Sequence, residues 1–397
     1  MSLTDTPRAN RLHIGIFGKR NSGKSSLINA LTRQETALVS DVAGTTADPV
    51  FKSMEIYGIG PCVFIDTAGF DDIGELGQMR VDKTKQVIDK TDIALVVFGG
   101  GDFTQETAWV HSLRKRNIPV LTVLNKCDLL PDARQLMREI EKSCGLKPLL
   151  VSAKEKTGIE KIREELIRLI PEDYDVKSIT GGLAENGDLV LLVMPQDIQA
   201  PKGRLILPQV QTLRDLLDKK CIVLSATTDK LDEALASLKQ PPKLIITDSQ
   251  VFKTVYEKKP KESKLASFSV LFANYKGDLN YYVESAQAIG RLTERSRVLI
   301  AEACTHAPLA EDIGREKIPR MLRKKFGENL SVEVVSGTDF PKDLSCYDLI
   351  IQCGACMFNR KYVLSRIERA RAQQVPMTNY GVAIAYLSGI LDKIDLQ

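Results

Sequence analysis

The sequence predicts an α/β fold with mostly parallel sheets, divided into three consecutive domains. Short apolar segments of strand length alternate with amphipathic segments of helix length, which is the pattern of buried parallel strands joined by helices. Two polar segments, 171–182 and 258–264, interrupt this alternation and are interpreted as linkers. A chain of 397 residues is also long enough for two or three domains of ordinary size.

The predicted elements follow this division. In the first domain the strands are expected at Leu12–Phe17, 61–65, Ile93–Phe98, Val120–Leu124 and 148–151, with helices at Lys24–Thr32 and 132–143. In the last domain the strands are expected at 266–272, 298–303, Ser331–Val335 and 348–352. The predicted domains are residues 1–172, 180–260 and 265–397. The middle domain has no motif that indicates chemistry.

The composition is that of a soluble globular protein, with 43% hydrophobic and 27% charged residues. The net charge of +4 does not support a chain whose main partner is a nucleic-acid backbone. Eight cysteines in a chain of this length indicate reduced thiols, with a metal-binding subset, rather than a disulfide scaffold. The sequence has no signal-peptide pattern at its start and no apolar run near the roughly 20 residues of a membrane helix. We therefore expect a cytoplasmic protein with no membrane partner.

A phosphate-binding loop is predicted at residues 18–25, which read GKRNSGKS between a predicted strand and a predicted helix. Backbone N–H groups of such a loop cradle phosphates, Lys24 reaches the β- and γ-oxygens, and Ser25 ligates magnesium. The residues of the predicted loop are Gly18, Asn21, Ser22, Gly23, Lys24, Ser25 and Ser26.

Three further motifs follow predicted strands. Residues 66–69 read DTAG, which suits a carboxylate near magnesium and a glycine N–H near the γ-phosphate. Residues 125–128 read NKCD and resemble the N-K-x-D motif, in which the Asp carboxylate accepts from guanine, and 152–154 read SAK and match the loop behind the base. Together the motifs predict a GTPase domain that binds GTP or GDP. The guanine-binding residues are then expected to be Asn125, Lys126, Asp128, Ser152, Ala153 and Lys154.

Over about residues 10–170 these motifs resemble the TrmE–Era group of GTPases. The resemblance implies that the switch segment 41–50 supplies a threonine hydroxyl to magnesium; Thr45 and Thr46 are both candidates, and family precedent favours Thr46. The expected catalytic residues are Lys24, Thr46, Asp66 and Gly69.

Two positions of this domain concern the rate of hydrolysis. Phe70 follows DTAG where Ras-like enzymes carry a water-positioning Gln, so intrinsic hydrolysis is expected to be slow unless another group or ion assists. Asn21 matches the asparagine that coordinates potassium in cation-activated members of the group, although an Asn also simply favours a tight loop. We expect hydrolysis that is faster in potassium than in sodium.

Three of the eight cysteines form a metal-binding pattern. Cys304 follows a predicted strand with His306 two residues on, and Cys353 and Cys356 form C-G-A-C after another predicted strand. If the two strands are parallel, both motifs project from the same edge of one sheet. Three cysteines with His306 would make a zinc site, three cysteines alone would hold a 4Fe–4S cluster with one open iron, and the C-x-x-C pair alone would suit a redox disulfide. The spacing does not choose among them.

With this pattern included, the whole chain resembles the HydF family, the GTPases of FeFe-hydrogenase maturation. The family pattern is C-x-H followed by H-C-x-x-C, and Gln352 stands here where many members have the second His. The resemblance implies a 4Fe–4S cluster on Cys304, Cys353 and Cys356 and a middle domain that forms a homodimer. It further implies a scaffold that takes a di-iron precursor from the radical-SAM maturases HydE and HydG and delivers it to apo FeFe-hydrogenase.

Alternatives remain for the fourth cluster ligand and for the function. His306, Glu302, Asp339 and solvent are all candidates for the open iron. The first domain alone also resembles GTPases of tRNA modification or ribosome assembly, but the sequence has no G-x-x-G clamp and no basic stripe with stacking aromatics, so nucleic acid is not expected as a partner. A GTP-controlled zinc protein with an interaction domain is the other alternative.

Overall fold

The computed structural model of the chain describes residues 8–32, 50–56, 59–67, 86–171, 174, 178–195, 205–303, 312–355 and 357–395. The chain forms two compact units, Met1–Asp175 and Val176–Gln397. The division between them falls inside the segment 171–182, which the sequence marks as a linker.

The first unit is built on a six-stranded sheet. Its strands are β1 (Leu12–Phe17), β2 (Val50–Ile56), β3 (Gly60–Asp66), β4 (Ile93–Phe98), β5 (Val120–Leu124) and β6 (Leu149–Leu150), in the order β2–β3–β1–β4–β5–β6. Its described helices are α1 (Lys24–Thr32), α2 (Thr104–Lys115), α3 (Ala133–Cys144) and α4 (Ile159–Arg168). All neighbouring strands are parallel except β2 and β3. Strands β1, β4 and β5 are buried throughout, as expected for a sheet with helices on both faces.

The second unit contains two four-stranded parallel sheets. The first has the strands β7 (Leu189–Val193), β8 (Ile222–Ala226), β9 (Leu244–Thr247) and β10 (Lys264–Ser267), in the order β10–β9–β7–β8. The second has β11 (Arg297–Ala301), β12 (Ser331–Val335), β13 (Leu349–Gln352) and β14 (Met377–Asn379), in the order β12–β11–β13–β14. The predicted fold class, α/β with mostly parallel sheets, is confirmed.

Eight described α-helices accompany these two sheets. They are α5 (Leu207–Asp218), α6 (Leu231–Ala236), α7 (Phe252–Lys258), α8 (Phe268–Lys276), α9 (Leu279–Ala286), α10 (Ile318–Phe326), α11 (Arg360–Ala372) and α12 (Tyr380–Leu387). One apolar cluster runs through the unit, from Leu191 on β7 to Ile394 near its end. The two sheets of this unit therefore share a hydrophobic core.

The strand predicted at 266–272 is wrong over most of its length. Strand β10 ends at Ser267, whose hydroxyl accepts a hydrogen bond from the backbone N–H of Val270 and so begins helix α8. Five residues of that helix between Phe268 and Ala273 are buried, so its apolar run has no amphipathic period and resembles a strand in the sequence. Strands β2 and β14 have no predicted counterpart, because β14 has three residues and β2 mixes polar with apolar side chains.

Among the described residues, the structure has no helix that combines the length and the apolar character needed to cross a bilayer.

We predict that Asp215 on α5 stabilises the start of the second unit. Its carboxylate accepts hydrogen bonds from the backbone N–H groups of Ile179 (3.0 Å) and Thr180 (3.1 Å) and from the hydroxyls of Ser178 (2.9 Å) and Thr180 (2.6 Å). Because hydrogen bonds to a charged group are worth about 1.5–3 kcal/mol each, Asp215→Ala should lower the free energy of unfolding by at least about 2 kcal/mol.

Denaturant unfolding followed by circular dichroism measures this loss. The matched control is Asp218→Ala on the same helix, which removes only an exposed pair with Arg214 and should change stability by less than about 0.5 kcal/mol. Equal midpoints for the two variants would show that the Asp215 network does not stabilise the unit.

Candidate functional site

The loop between β1 and α1 passes close to a neighbouring strand and to a side chain at two glycines. Gly18 has a φ of +155°, and a Cβ added there would lie 2.4 Å from the carbonyl oxygen of Val97 on β4. Gly23 has a φ of +87°, and a Cβ there would lie 2.3 Å from the side-chain nitrogen of Asn125. A side chain at either position would push the loop away from its neighbours. The glycines of the predicted G-x-x-x-x-G-K-S pattern therefore meet a steric requirement of this fold.

Lys24 begins helix α1 and is only 7% exposed. Its ammonium nitrogen donates to the carbonyl oxygens of Gly18 and Lys19, each at 2.8 Å. These contacts hold the positive charge over the loop, where P-loop proteins bind the β- and γ-phosphates. The lysine thus has the position that its predicted role requires.

Ser25 and Asp66 lie together at the end of β3. The Ser25 hydroxyl donates to Asp66 Oδ2 at 2.7 Å, while the buried Oδ1 has no hydrogen-bond partner in the described part of the chain. Burial raises the pKa of Asp66, and the Ser25 hydrogen bond and the charges of Lys24 and Lys52 oppose that rise. A carboxylate oxygen without a partner beside a hydroxyl is a pair of hard oxygen ligands. The residues present therefore fit Mg²⁺.

The side-chain amide of Asn125 connects three of the predicted motifs. Its Nδ2 donates to the carbonyl oxygen of Ser22 at 3.0 Å, and its Oδ1 accepts from the backbone N–H of Ala153 at 3.1 Å. Asn125 is 1% exposed, so this amide is a buried link between the phosphate loop, NKCD and SAK. The structure thus brings the predicted nucleotide-binding loops together.

Asp128 is the predicted guanine acceptor, and it is exposed. A hydrogen bond from Ser152 is the main cause that lowers the pKa of its carboxyl, and the charges of Lys154 and Lys126 also lower it. The carboxylate is therefore held in the ionised form, which accepts from the two N–H donors on the guanine edge. Ser152 supports this acceptor from the loop behind the base.

The proposed metal-binding cysteines belong to the second sheet of unit two. Strands β11 and β13 are adjacent and parallel, with Ala301 paired to Gln352, so their carboxyl ends meet at one edge as expected. The sulfur of Cys353 accepts hydrogen bonds from the backbone N–H groups of Ala303 (3.0 Å) and Ala355 (3.4 Å). Ala303 is the last described residue before the C-x-H motif, which begins at Cys304 in the sequence.

Several predicted site residues lie outside the described residues: Thr45, Thr46, Gly69, Phe70, Cys304, His306 and Cys356. In the ranges that the structure describes, no group of three or more His, Cys, Asp or Glu side chains is placed to hold a metal ion. The ligand set Cys304, Cys353 and Cys356 thus stays a prediction. The soft sulfur of Cys353, stabilised by two N–H donors, is of a kind that suits a thiolate ligand of zinc or of an iron–sulfur cluster.

The two carboxylate candidates for a fourth ligand differ in their surroundings. Glu302 is 9% exposed, and its Oε2 accepts from Nε and Nη2 of Arg315 (both 3.1 Å) and from the Ser336 hydroxyl (3.2 Å). Both oxygens of this carboxylate are hydrogen-bonded, because Oε1 accepts from the Tyr380 hydroxyl at 3.5 Å and Oε2 is paired with Arg315. Asp339 lies exposed in the loop after β12. Asp339 is thus the more accessible of the two carboxylates, and its role as a ligand stays a prediction.

The turn that carries Cys353 is held by polar side chains that the sequence analysis did not identify. Asn379 donates to the carbonyl oxygen of Cys353 at 3.3 Å, and the ammonium of Lys276, which is 3% exposed, donates to the carbonyl oxygen of Phe358 at 3.0 Å. Gln352 is fully buried, and neither polar atom of its amide has a hydrogen-bond partner within the described ranges. Lys276 is the last residue of the apolar helix α8. A lysine at the end of such an apolar run is the signal in the sequence that could have identified it.

Three family models match the chain. The 50S ribosome-binding GTPase model matches residues 13–126, the hydrogen maturase F dimerization domain matches 179–277, and the hydrogen maturase F tetramerization domain matches 280–395. The first match agrees with the nucleotide-binding loops described above, so the first unit contains a GTPase domain.

Two curated GTPases are similar to less than half of this chain. The tRNA modification GTPase MnmE of Flavobacterium johnsoniae is 33% identical over 190 residues, which is 46% of this chain and 39% of that protein. The GTPase Der of Wolinella succinogenes is 37% identical over 171 residues, which is 40% of this chain and 36% of that protein. The chain thus covers well under half the length of these relatives.

Among solved structures, Era of Aquifex aeolicus bound to GDP and AlF4⁻ is 20% identical with a TM-score of 0.36, over 56% of this chain and 97% of that one. A TM-score this low adds nothing to the assignment. The two hydrogen maturase F models, by contrast, together span more than half of the chain and follow directly on the GTPase domain. The chain therefore belongs to the hydrogen maturase F (HydF) family.

Proposed function

We propose that this protein is a GTP-hydrolysing scaffold in the maturation of FeFe-hydrogenase. It binds a 4Fe–4S cluster through Cys304, Cys353 and Cys356 and carries a di-iron precursor to the apo-hydrogenase. The observation that carries the proposal is the contact of the Cys353 sulfur with the backbone N–H of Ala303, at the shared edge of β11 and β13. Ala303 directly precedes Cys304 in the chain, which supports Cys304 and Cys353 as ligands of one cluster.

The GTPase residues have separate tasks in this proposal. The loop N–H groups and Lys24 bind the phosphates, Asp128 accepts from the guanine edge, and Ser25 and Asp66 hold Mg²⁺ together with Thr46. The ion supplies positive charge to the β- and γ-phosphate oxygens. A water molecule adds to the γ-phosphorus while the bond to the β-phosphate oxygen breaks, giving GDP and phosphate. The N–H of Gly69 is the proposed partner of the γ-phosphate.

Potassium is the proposed aid to hydrolysis in a domain that has Phe70 where Ras-like enzymes have Gln. Asn21 supports this, because it is an exposed residue of the phosphate loop. Its φ of +61° also agrees with the alternative reason for an Asn here, since Asn adopts positive φ more readily than most residues. An amide oxygen is a hard ligand, as an alkali cation requires.

One iron of the proposed cluster is open to a further ligand. Three cysteines leave one iron without a protein thiolate, and such a position accepts an incoming group that displaces a weakly held ligand. Asp339 and His306 are the proposed weak ligands, with solvent as the remaining choice. HydE and HydG are the proposed donors of the precursor, and GTP turnover is proposed to govern these partner interactions in the cytoplasm.

Self-association is proposed to involve the outer edge of the first sheet in unit two. Strand β8 is an edge strand with Ile222 63% exposed, and Leu217 at the end of the preceding helix α5 is 54% exposed. An edge strand with exposed apolar side chains is a template for pairing with another copy. The match of this region to a dimerization domain supports a homodimer.

The tRNA-modification alternative has weaker support. The relatives named for that activity match under half of this chain, and the remainder matches the hydrogen maturase F domains. No second function is therefore proposed.

We predict that GTP hydrolysis is several-fold faster in potassium chloride than in sodium chloride at equal ionic strength. Asn21→Gly should remove the difference, because glycine keeps the positive φ while the amide oxygen is lost. Asn117→Gly is the matched control, since Asn117 also has a positive φ (53°) but lies outside the site. Phosphate release assays measure the rates, and equal wild-type rates in the two salts would remove the role of Asn21.

We predict that Cys304→Ala, Cys353→Ala and Cys356→Ala each prevent formation of a complete 4Fe–4S cluster and leave the GTPase rate within about twofold of wild type. The reason is that the thiolates hold the cluster in the second unit, whereas hydrolysis takes place in the first. Cys346→Ala, an exposed cysteine of the same unit, is the control. Iron and sulfide analysis after anaerobic reconstitution gives the result, and a variant that binds both normally has lost no ligand.

We predict that Ile222→Lys lowers the association state, because a charge would be buried at the β8 edge. Light scattering coupled to size-exclusion chromatography reports the mass. Leu129→Lys is the control, since Leu129 is 67% exposed in the first unit. If both variants keep the wild-type mass, this edge is not an interface.

A further inference from the structure

Arg366 is a buried cation in the unit that carries the cysteine pattern. It lies on helix α11 and is 1% exposed. A guanidinium cannot lose its proton in a protein, and burying its charge costs several kcal/mol unless neighbouring groups offset the cost. We therefore expect Arg366 to have a structural or functional role that offsets the cost of burying its charge.

The groups that contact Arg366 are three aromatic rings and one carbonyl. Its Cζ lies 4.8 Å from the ring centroid of Phe340, 5.0 Å from that of Phe358 and 4.9 Å from that of Tyr362. Its Nη2 donates to the carbonyl oxygen of Gly337 at 2.6 Å. Nε and Nη1 have no hydrogen-bond partner among the residues that the structure describes. Ring faces attract a cation without neutralising it, so its positive charge is retained.

Apart from the Tyr362 ring on the same helix, these contacts come from two loops at the edge where Cys353 lies. Gly337 and Phe340 belong to the loop 336–341 after β12, which also contains Asp339. Phe358 follows the C-x-x-C turn, two residues after Cys356. Arg366 is therefore a common anchor of the loop and the turn.

Contacts within the turn connect Arg366 to Cys353. The backbone N–H of Phe358, whose ring contacts Arg366, donates to the carbonyl oxygen of Ala355 at 3.0 Å. The backbone N–H of Ala355 in turn donates to the Cys353 sulfur at 3.4 Å. The buried cation is therefore linked to that sulfur through one aromatic ring and one residue of the turn.

We propose that Arg366 is a positioning residue that fixes the loop 336–341 against the C-x-x-C turn and raises the reduction potential of the bound cluster. A cluster gains negative charge on reduction, so a nearby buried positive charge favours the reduced form. The second part rests on the proposed function, because it requires a cluster at Cys353. The first part concerns the protein alone.

Three variants separate the charge from the positioning. Arg366→Met removes the charge and keeps a long unbranched side chain. Arg366→Lys keeps the charge but lacks the planar fork that reaches the Gly337 carbonyl while it contacts the three rings. Arg371→Met, near the end of the same helix, removes a half-exposed charge paired with Asp278 and is the control.

The first measurement is hydrogen exchange in the metal-free protein. Exchange in the segments 336–341 and 357–359 should be at least tenfold faster in Arg366→Met and faster in Arg366→Lys, and unchanged in Arg371→Met. Unchanged exchange in Arg366→Lys would overturn the positioning role, and this variant decides the matter if Arg366→Met does not fold.

The second measurement is a redox titration of the reconstituted cluster followed by electron paramagnetic resonance. At the wild-type midpoint, Arg366→Met should show at least a threefold lower ratio of reduced to oxidised cluster, while Arg366→Lys and Arg371→Met stay near wild type. A potential that is unchanged in Arg366→Met, or equally lowered in Arg366→Lys, would overturn the charge effect. A wild-type protein that binds no cluster would refute the proposed function and the charge effect, and the exchange result would still decide the positioning role.

Discussion

Parallel strand pairing is the constraint on which both candidate sites depend. It places the carboxyl ends of strands that are far apart in sequence at one edge of a sheet, and the loops beyond those ends carry the functional groups. In the first unit this edge brings Asp66 to Ser25 and Asn125 to the phosphate loop. In the second unit it brings Cys353 to Ala303. The same backbone arrangement thus positions Asp66 and Asn125 in the first unit and Cys353 in the second.

Buried polar groups without partners mark the places where the fold alone does not satisfy its own chemistry. A free donor or acceptor in the interior costs about 1–3 kcal/mol, so it persists where another requirement outweighs stability. A bound cation would satisfy the unpaired Oδ1 of Asp66. The buried guanidinium of Arg366 is retained, on our proposal, because it joins two loops. The amide of Gln352 occupies the position of the family histidine beside Cys353, and its two atoms also lack partners among the described residues. It has the chemistry to hydrogen-bond a cluster or its cargo but not to replace a histidine ligand well.

The structure describes most of the predicted nucleotide site, whereas Cys304, His306 and Cys356 of the predicted cysteine site lie outside the described residues. The phosphate loop is local: eight consecutive residues specify the turn, the charge and the helix start, and α1 begins and ends where it is predicted. The link from Asn125 to Ser22 and Ala153 joins residues far apart in the chain, so no short pattern reports it. Ser267 shows the opposite problem. The apolar run after it resembles a strand in the sequence, but the Ser267 hydroxyl caps a helix that begins at Phe268. The sequence indicates that Arg366 is buried, because helical spacing places it on the apolar face with Tyr362 and Ile367. The same periodicity does not indicate which rings surround it.

The central claim is that the cysteine pattern holds iron and sulfide rather than zinc, and metal analysis of the whole chain tests it most directly. The wild-type protein is reconstituted anaerobically with iron and sulfide and examined by metal analysis, visible absorption and electron paramagnetic resonance. We expect a brown protein with about four iron atoms per chain and the signal of a reduced 4Fe–4S cluster after reduction. A colourless protein that retains one tightly bound zinc ion would contradict it.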